Sequence, residues 1–172
     1  MANKKLLIPI IRQFEGGWSK HPLDRGGATM CGITFSTFKH WRKKHQQPEP
    51  TEEDLKNIGM KEWTDIFTEL FWEPCKAALI KNQTIANLLV DFAWASGPVT
   101  AIKQTQTALG LTPDGIVGPH TLDALNQADY AKTIEIITSK RLAFVEEIVK
   151  RNPTQSIFLN GWKRRILTIA HP

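Results

Sequence analysis

Glu15 is followed directly by Gly16-Gly17-Trp18, and the chain then brings Asp24, Gly26-Gly27, Thr29 and Gly32-Ile33-Thr34 in quick succession. This pattern sets one carboxylate where an amphipathic helix stops and a second in a glycine-rich loop, with hydroxyls close behind. Two carboxyl groups in unlike surroundings are what glycoside hydrolysis uses. One protonates the glycosidic oxygen while the other activates water or attacks the sugar.

The helix that must position Glu15 is written in Leu6, Leu7, Ile10, Ile11 and Phe14, whose spacing lines one helical face. Pro9 suits a first turn better than a helix interior, so the start of the helix is ambiguous. Gly16 and Gly17 are expected to close the helix in the left-handed conformation, which makes Glu15 its last residue, beside Phe14 and Trp18. The negative end of the helix dipole and these apolar neighbours both disfavour an ionised carboxylate. A carboxyl that keeps its proton near neutrality can act as a general acid, and Glu15 is the candidate. Asp24 lies in His-Pro-Leu-Asp-Arg-Gly-Gly, where proline and glycines favour turns, so its carboxylate is expected to stay solvated and charged. The plain structural alternative makes Glu15 a surface helix end and Asp24 an Asx-turn residue.

The run EGGWSKHPLDRGGATMCGIT resembles the signature of the bacterial and phage N-acetylmuramidases of glycoside hydrolase family 108, a family that includes proteins labelled secretion activators. Its elements Glu-Gly-Gly-aromatic, Pro-x-Asp-x-Gly-Gly-x-Thr and Gly-Ile-Thr are all present. The likeness continues through LLVDFAWASGPVTAIKQTQTALG, PDGIVGPHTLDALN and FLNGWKRRI, and so covers almost the whole chain. The resemblance implies a lysozyme-like helical fold and cleavage of the β-1,4 bond between N-acetylmuramic acid and N-acetylglucosamine. It also implies catalysis by the glutamate at position 15. The order of Glu, loop Asp and Thr is similar to the catalytic element of phage-type lysozymes, an analogy at the level of the fold.

Later elements read as helices. Ser36 is a candidate cap for a helix carrying Phe38 and Trp41, and Thr51-Glu-Glu-Asp54 resembles a capping box opening a short helix that Gly59 stops. Met60, Trp63, Phe67, Leu70 and Phe71 line one face of a helix that ends before Pro74. Ile85, Leu88, Leu89 and Phe92 form the apolar face of the next, with Asn87 and Asp91 together on another face. Buried polar pairs are usually structural. In the resembled family this helix lines the cleft, which makes Asp91 a candidate for contacting substrate or orienting a residue that does.

Gly97-Pro98 marks the expected boundary between a catalytic lobe, residues 1–96, and a C-terminal helical lobe, residues 97–172, packed as one unit with the first. Asp114-Gly115-Ile116-Val117-Gly118-Pro119-His120-Thr121 is similar to an element of small helical peptidoglycan-binding modules, where its role is mainly architectural. Ile134, Ile137, Arg141, Phe144, Val145 and Ile148 predict a long helix ending before Asn152-Pro153, and Ser156 to Ile169 a final one. Strand signals are confined to Ala28 to Phe35. The expected fold is therefore mainly α, lysozyme-like, with at most one small β-hairpin near residues 28–35.

Six tryptophans need placing. Trp41, Trp63 and Trp72 fit core positions. Trp18, Trp94 and Trp162 are the cleft candidates, because flat indole rings pack against sugar faces and offer an N–H donor. With Thr29 and Thr34 as candidates for holding water, and with Asp91, they complete the expected substrate-binding set beside catalytic Glu15 and Asp24.

The net charge is +5, with clusters at Arg42-Lys43-Lys44 and Lys163-Arg164-Arg165. A basic surface suits polyanions, including nucleic acid, acidic lipid and cell wall. No helix-turn-helix signature accompanies the clusters, and no stable membrane insertion or nucleic-acid partner is expected. The five histidines are scattered, with no HExxH, P-loop or dinucleotide fingerprint, so no metal or cofactor is expected. The start MANKKLLIPIIRQFEGG lacks a small-residue cleavage site and runs into the catalytic motif, so it is not expected to be a removable signal peptide. Action on the wall would then call for a holin or a secretion system. Cys31 and Cys75 are expected to be reduced, and Cys31 as a nucleophile lacks a legible His and Asn pattern. A non-catalytic peptidoglycan-binding module, a lytic transglycosylase using Glu15 alone and a nucleic-acid-binding protein remain the rival readings.

Overall fold

The computed structural model describes residues 1–20 and 27–172, which pack as two compact units, Lys5–Glu69 and Met1–Lys4 with Leu70–Pro172. The described residues are mainly helical, as expected, with one small antiparallel sheet.

In the first unit, α1 (Lys4–Phe14) buries Leu7 and Ile11 completely and leaves Leu6 at its outer edge. Pro9 sits inside this helix and not in its first turn. It lies on the exposed side, where the carbonyl it deprives of a hydrogen bond can turn to water. Burial of the opposite face outweighs that local penalty. Beyond α1 run β1 (Trp18–Ser19), β2 (Thr29–Met30) and β3 (Ile33–Thr34), in the order β1-β2-β3. The hairpin β2–β3 is the expected one, and β1 adds a third strand. Two-residue strands are too short to show alternation in sequence, so β1 left no signal.

Thr34 caps α2 (Phe35–Lys44) by accepting from the Thr37 N–H, so the cap lies two residues before the expected Ser36. Thr51 and Asp54 form the expected capping box of α3 (Glu52–Lys56). Gly59 opens α4 (Met60–Phe67), and a π-helical turn, Thr68–Trp72, continues it. Trp63 and Phe67 stack at 5.5 Å in the core, and both are fully buried. Glu69 accepts from Trp41 Nε1 at 2.9 Å and also pairs with Lys44 and His45. The Lys44 ammonium above all, with the His45 and Trp41 hydrogen bonds, holds the Glu69 carboxyl down to about 2, against burial that pushes it up.

In the second unit, α5 (Gln83–Ser96) is buried on every side from Ile85 to Ala93, and it packs against α6 (Pro98–Ala108), α8 (Tyr130–Arg151) and α9 (Ser156–Ala170). A helix apolar all round belongs in the middle of a core. Gly97, at φ 83°, makes the break between α5 and α6. Between α6 and α7 (Pro119–Leu125), the buried Gln106 organises the turn seen in sequence. Its Nε2 donates to Asp114 Oδ1 at 2.8 Å and to the Ile116 carbonyl at 2.9 Å, and its Oε1 accepts from the Gly115 N–H at 2.9 Å. Gly115 is required there, because φ is 82° and a Cβ would stand 3.1 Å from Val99 Cγ1.

Cutting the chain after residue 96 removes α6, α8 and α9 from around α5. We expect residues 1–96 alone to be insoluble or molten and inactive; a sharp thermal transition with residual activity in that fragment would show an independent domain there. A second expectation concerns Glu69. Between about pH 4.5 and 2 the unfolded chain takes up a proton that folded Glu69 refuses, so stability falls as pH drops through that window. Acid titrations followed by circular dichroism should show that dependence reduced in Glu69→Gln, and an unchanged acid transition would contradict it.

Candidate active site

Glu15 stands just past the end of α1, half-buried, with its N–H still donating to the Ile11 carbonyl at 3.1 Å. Gly16 and Gly17 do not close the helix in the left-handed conformation as expected, since neither has a positive φ. The amide of Glu15 finishes the helical pattern, and the chain leaves in a conformation open to any residue. A Cβ at either glycine would meet no atom within 4 Å. Neither backbone conformation nor packing among the described residues requires glycine here.

The sheet that follows divides its side chains by register. Trp18 pairs with Met30, and Met30 with Ile33, which makes one apolar row anchored by the fully buried Ile33. Ser19 pairs with Thr29, and Thr29 with Thr34, so three hydroxyls share the opposite row. Thr34 is committed: its Oγ1 accepts from the Thr37 N–H at 3.1 Å and donates to Thr37 Oγ1 at 2.9 Å. Thr29, on the central strand, is half-buried. Ser19 belongs to this row and was not singled out from sequence, because only the register reveals it.

The β2–β3 turn consists of Cys31 and Gly32, both left-handed at φ 47° and 79°. Positive φ at both central residues is the mark of a type I′ hairpin, whose twist matches the strands. Cys31 is an uncommon occupant, since a side chain there carries a steric cost. The Trp63 indole N–H donates to the Cys31 carbonyl at 3.0 Å and fixes the turn from the core. Cys31 and Cys75 are both free thiols, and burial pushes Cys75 up to about 12, which makes it unreactive.

Asp24, the expected partner of Glu15, lies outside the described residues. The remaining expected positions fall in the second unit. Asp91 has no solvent exposure; Arg141 Nη2 donates to its Oδ2 at 2.8 Å, and Arg165 donates to its Oδ1 from Nε at 2.9 Å and from Nη2 at 2.7 Å. Both oxygens are occupied, so of the two roles expected for Asp91 its burial favours orienting other residues over touching sugar. Arg141 was legible as the one charged residue on an otherwise apolar helical face. Trp94 is half-buried and meets Phe71 edge to face at 4.8 Å. Trp162, also half-buried, stacks with Phe158 at 5.9 Å.

Residues 8–97 match the glycosyl hydrolase 108 family, and residues 100–167 match a family described as a predicted peptidoglycan domain. Among solved structures, Brucella abortus SagA is 30% identical and superposes with a TM-score of 0.82, over 96% of this chain and 90% of that one. No curated protein matches the chain. The first matched region ends at residue 97 and the second begins at residue 100. With one match spanning more than half of the residues and a lysozyme-like, mainly helical fold shared along nearly the whole length, the chain belongs to the glycosyl hydrolase 108 family.

Proposed function

We propose that this glycoside hydrolase is an N-acetylmuramidase that cleaves the β-1,4 bond between N-acetylmuramic acid and N-acetylglucosamine in peptidoglycan, with Glu15 as the general acid. The observation that carries the reading is the setting of Glu15. It stands just past the end of a well-anchored helix and is followed by two glycines that packing among the described residues does not need. Glycine at such a place lets another molecule approach the backbone closely. A glycan strand lying across Gly16 and Gly17 would bring a glycosidic oxygen to the Glu15 carboxyl.

In this reading Glu15 donates its proton to the leaving oxygen as the bond to the anomeric carbon breaks. Positive charge then develops on the sugar ring. Asp24 takes the second role, either activating a water that attacks from the opposite face or attacking directly to form a glycosyl intermediate. Thr29, on the hydroxyl row of the sheet, helps hold the water. Trp18 supplies an aromatic wall beside Glu15, and Trp94 and Trp162 are further sugar contacts on the second unit. Peptidoglycan is the partner that the C-terminal match supports. Among the described residues no helix is long and apolar enough to cross a membrane, and delivery to the wall by a holin or a secretion system belongs to the same proposal.

Glu15→Gln keeps the shape of the side chain and removes the proton. Turnover of purified peptidoglycan should fall by at least about 100-fold while the melting temperature and wall binding stay near the parent's. Asp24→Asn should lose activity on a similar scale. Near-parental lysis by Glu15→Gln would overturn the assignment, and full activity in Asp24→Asn would reduce that residue to a turn former.

A further inference from the structure

A small pocket of about 130 Å³ opens in the second unit between the end of α5 and the facing sides of α8 and α9. Its walls are apolar, built from Ala95, Val145, Ile148, Ile166 and the Trp162 ring, and Ser96 adds a hydroxyl. Arg141 and Arg165 line it as well, and among the described residues no carboxylate does. Of the basic cluster at 163–165, Lys163 is tied to Glu146, whereas Arg165 turns inward to this pocket.

Arg141 is the informative residue. Its side chain is 4% exposed, its guanidinium lies over the Phe92 ring at 5.1 Å, and only two of its N–H groups have acceptors. These are the Leu88 carbonyl at 3.2 Å and Asp91 Oδ2 at 2.8 Å, while Nε has no partner. A guanidinium offers five N–H donors and cannot shed its charge. Buried donors of a charged group are costly to leave without acceptors. A cation held this way beside an open, apolar-walled pocket is matched by a small anion with an apolar side.

We propose that this pocket is a subsite for a carboxylate carrying a short apolar group, namely the terminal D-alanine of the peptide stem of peptidoglycan. The proposal rests on the reading of the chain as a peptidoglycan hydrolase. The carboxylate faces the two arginines and the Ser96 hydroxyl, and the alanine methyl packs against Val145, Ile148 and Trp162. The subsite would favour glycan strands that still carry stems with a free carboxyl end.

The test titrates the unmodified full chain, by calorimetry, with a muramyl tetrapeptide ending in D-alanine and with the same compound as its terminal amide. The acid should bind at least about 10-fold more tightly, the scale set by one charge-assisted hydrogen bond. Ser96→Asp, which places an anion among the arginines, should weaken binding of the acid by about 10-fold or more while the melting temperature stays near the parent's. Equal binding of acid and amide, absence of binding by either, or indifference to Ser96→Asp would overturn the subsite. Digestion of purified peptidoglycan by the same preparation separates the two readings. A protein that digests the polymer yet ignores the carboxylate refutes the subsite alone, and one that prefers the acid yet digests nothing refutes the hydrolase.

Discussion

A carboxylate with no solvent exposure is tolerable only when cations surround it, and Asp91 is such a group. Its two oxygens take Arg141 from α8 and Arg165 from α9, so one side chain of α5 fixes the two longest C-terminal helices. The desolvation cost of such an arrangement can rival its Coulomb gain, so it need not add stability. Removing one partner, by contrast, costs on the order of 3–5 kcal/mol, because a buried charge is left alone. The arrangement therefore specifies geometry. It sets which faces of α8 and α9 meet α5, and with them the positions of Trp162, the α5 end and the arginine-lined pocket.

The smaller unit solves a different problem, holding a short sheet rigid beside a helix end. Two-residue strands supply few ladder hydrogen bonds, and a three-stranded sheet of this size would be marginal alone. Packing supplies the rest. Ile33 and Trp63 are fully buried, the Trp63 indole holds the Cys31 carbonyl, and Thr34 ties the sheet to α2. Among the described residues, no atom stands within 4 Å of a Cβ placed at Gly16 or Gly17, and a row of hydroxyls lies on the central and flanking strands. In the proposed reading a glycan strand lies across this glycine step, and the packed sheet supports it.

Much of this was legible in the sequence. Amphipathic spacing located α1, the capping box at Thr51 located α3, and Gly97-Pro98 located the break after α5. Glycines were less reliable guides. Gly16 and Gly17 suggested a left-handed helix end, but the backbone there has ordinary φ. A glycine can serve conformation or clearance, and sequence does not distinguish the two. Pro9 was also misleading, because its position on the solvent side of α1 depends on which face the core claims. The Asp91 pairs were hidden for a related reason. Arg141 stood out on an apolar face, but its partner lies fifty residues away. The hydroxyl row was invisible because strand register carries no mark in segments of two residues.

The central claim of the proposed function is that Glu15, as general acid, drives hydrolysis of the muramyl bond. The most direct measurement is mass spectrometry of the fragments released when the protein digests purified peptidoglycan in water enriched in heavy oxygen. Hydrolysis predicts fragments with reducing N-acetylmuramic acid ends that carry one heavy oxygen. Fragments ending in 1,6-anhydro-muramic acid without the label would contradict it, because the sugar's own hydroxyl, and not water, would then have closed the reaction.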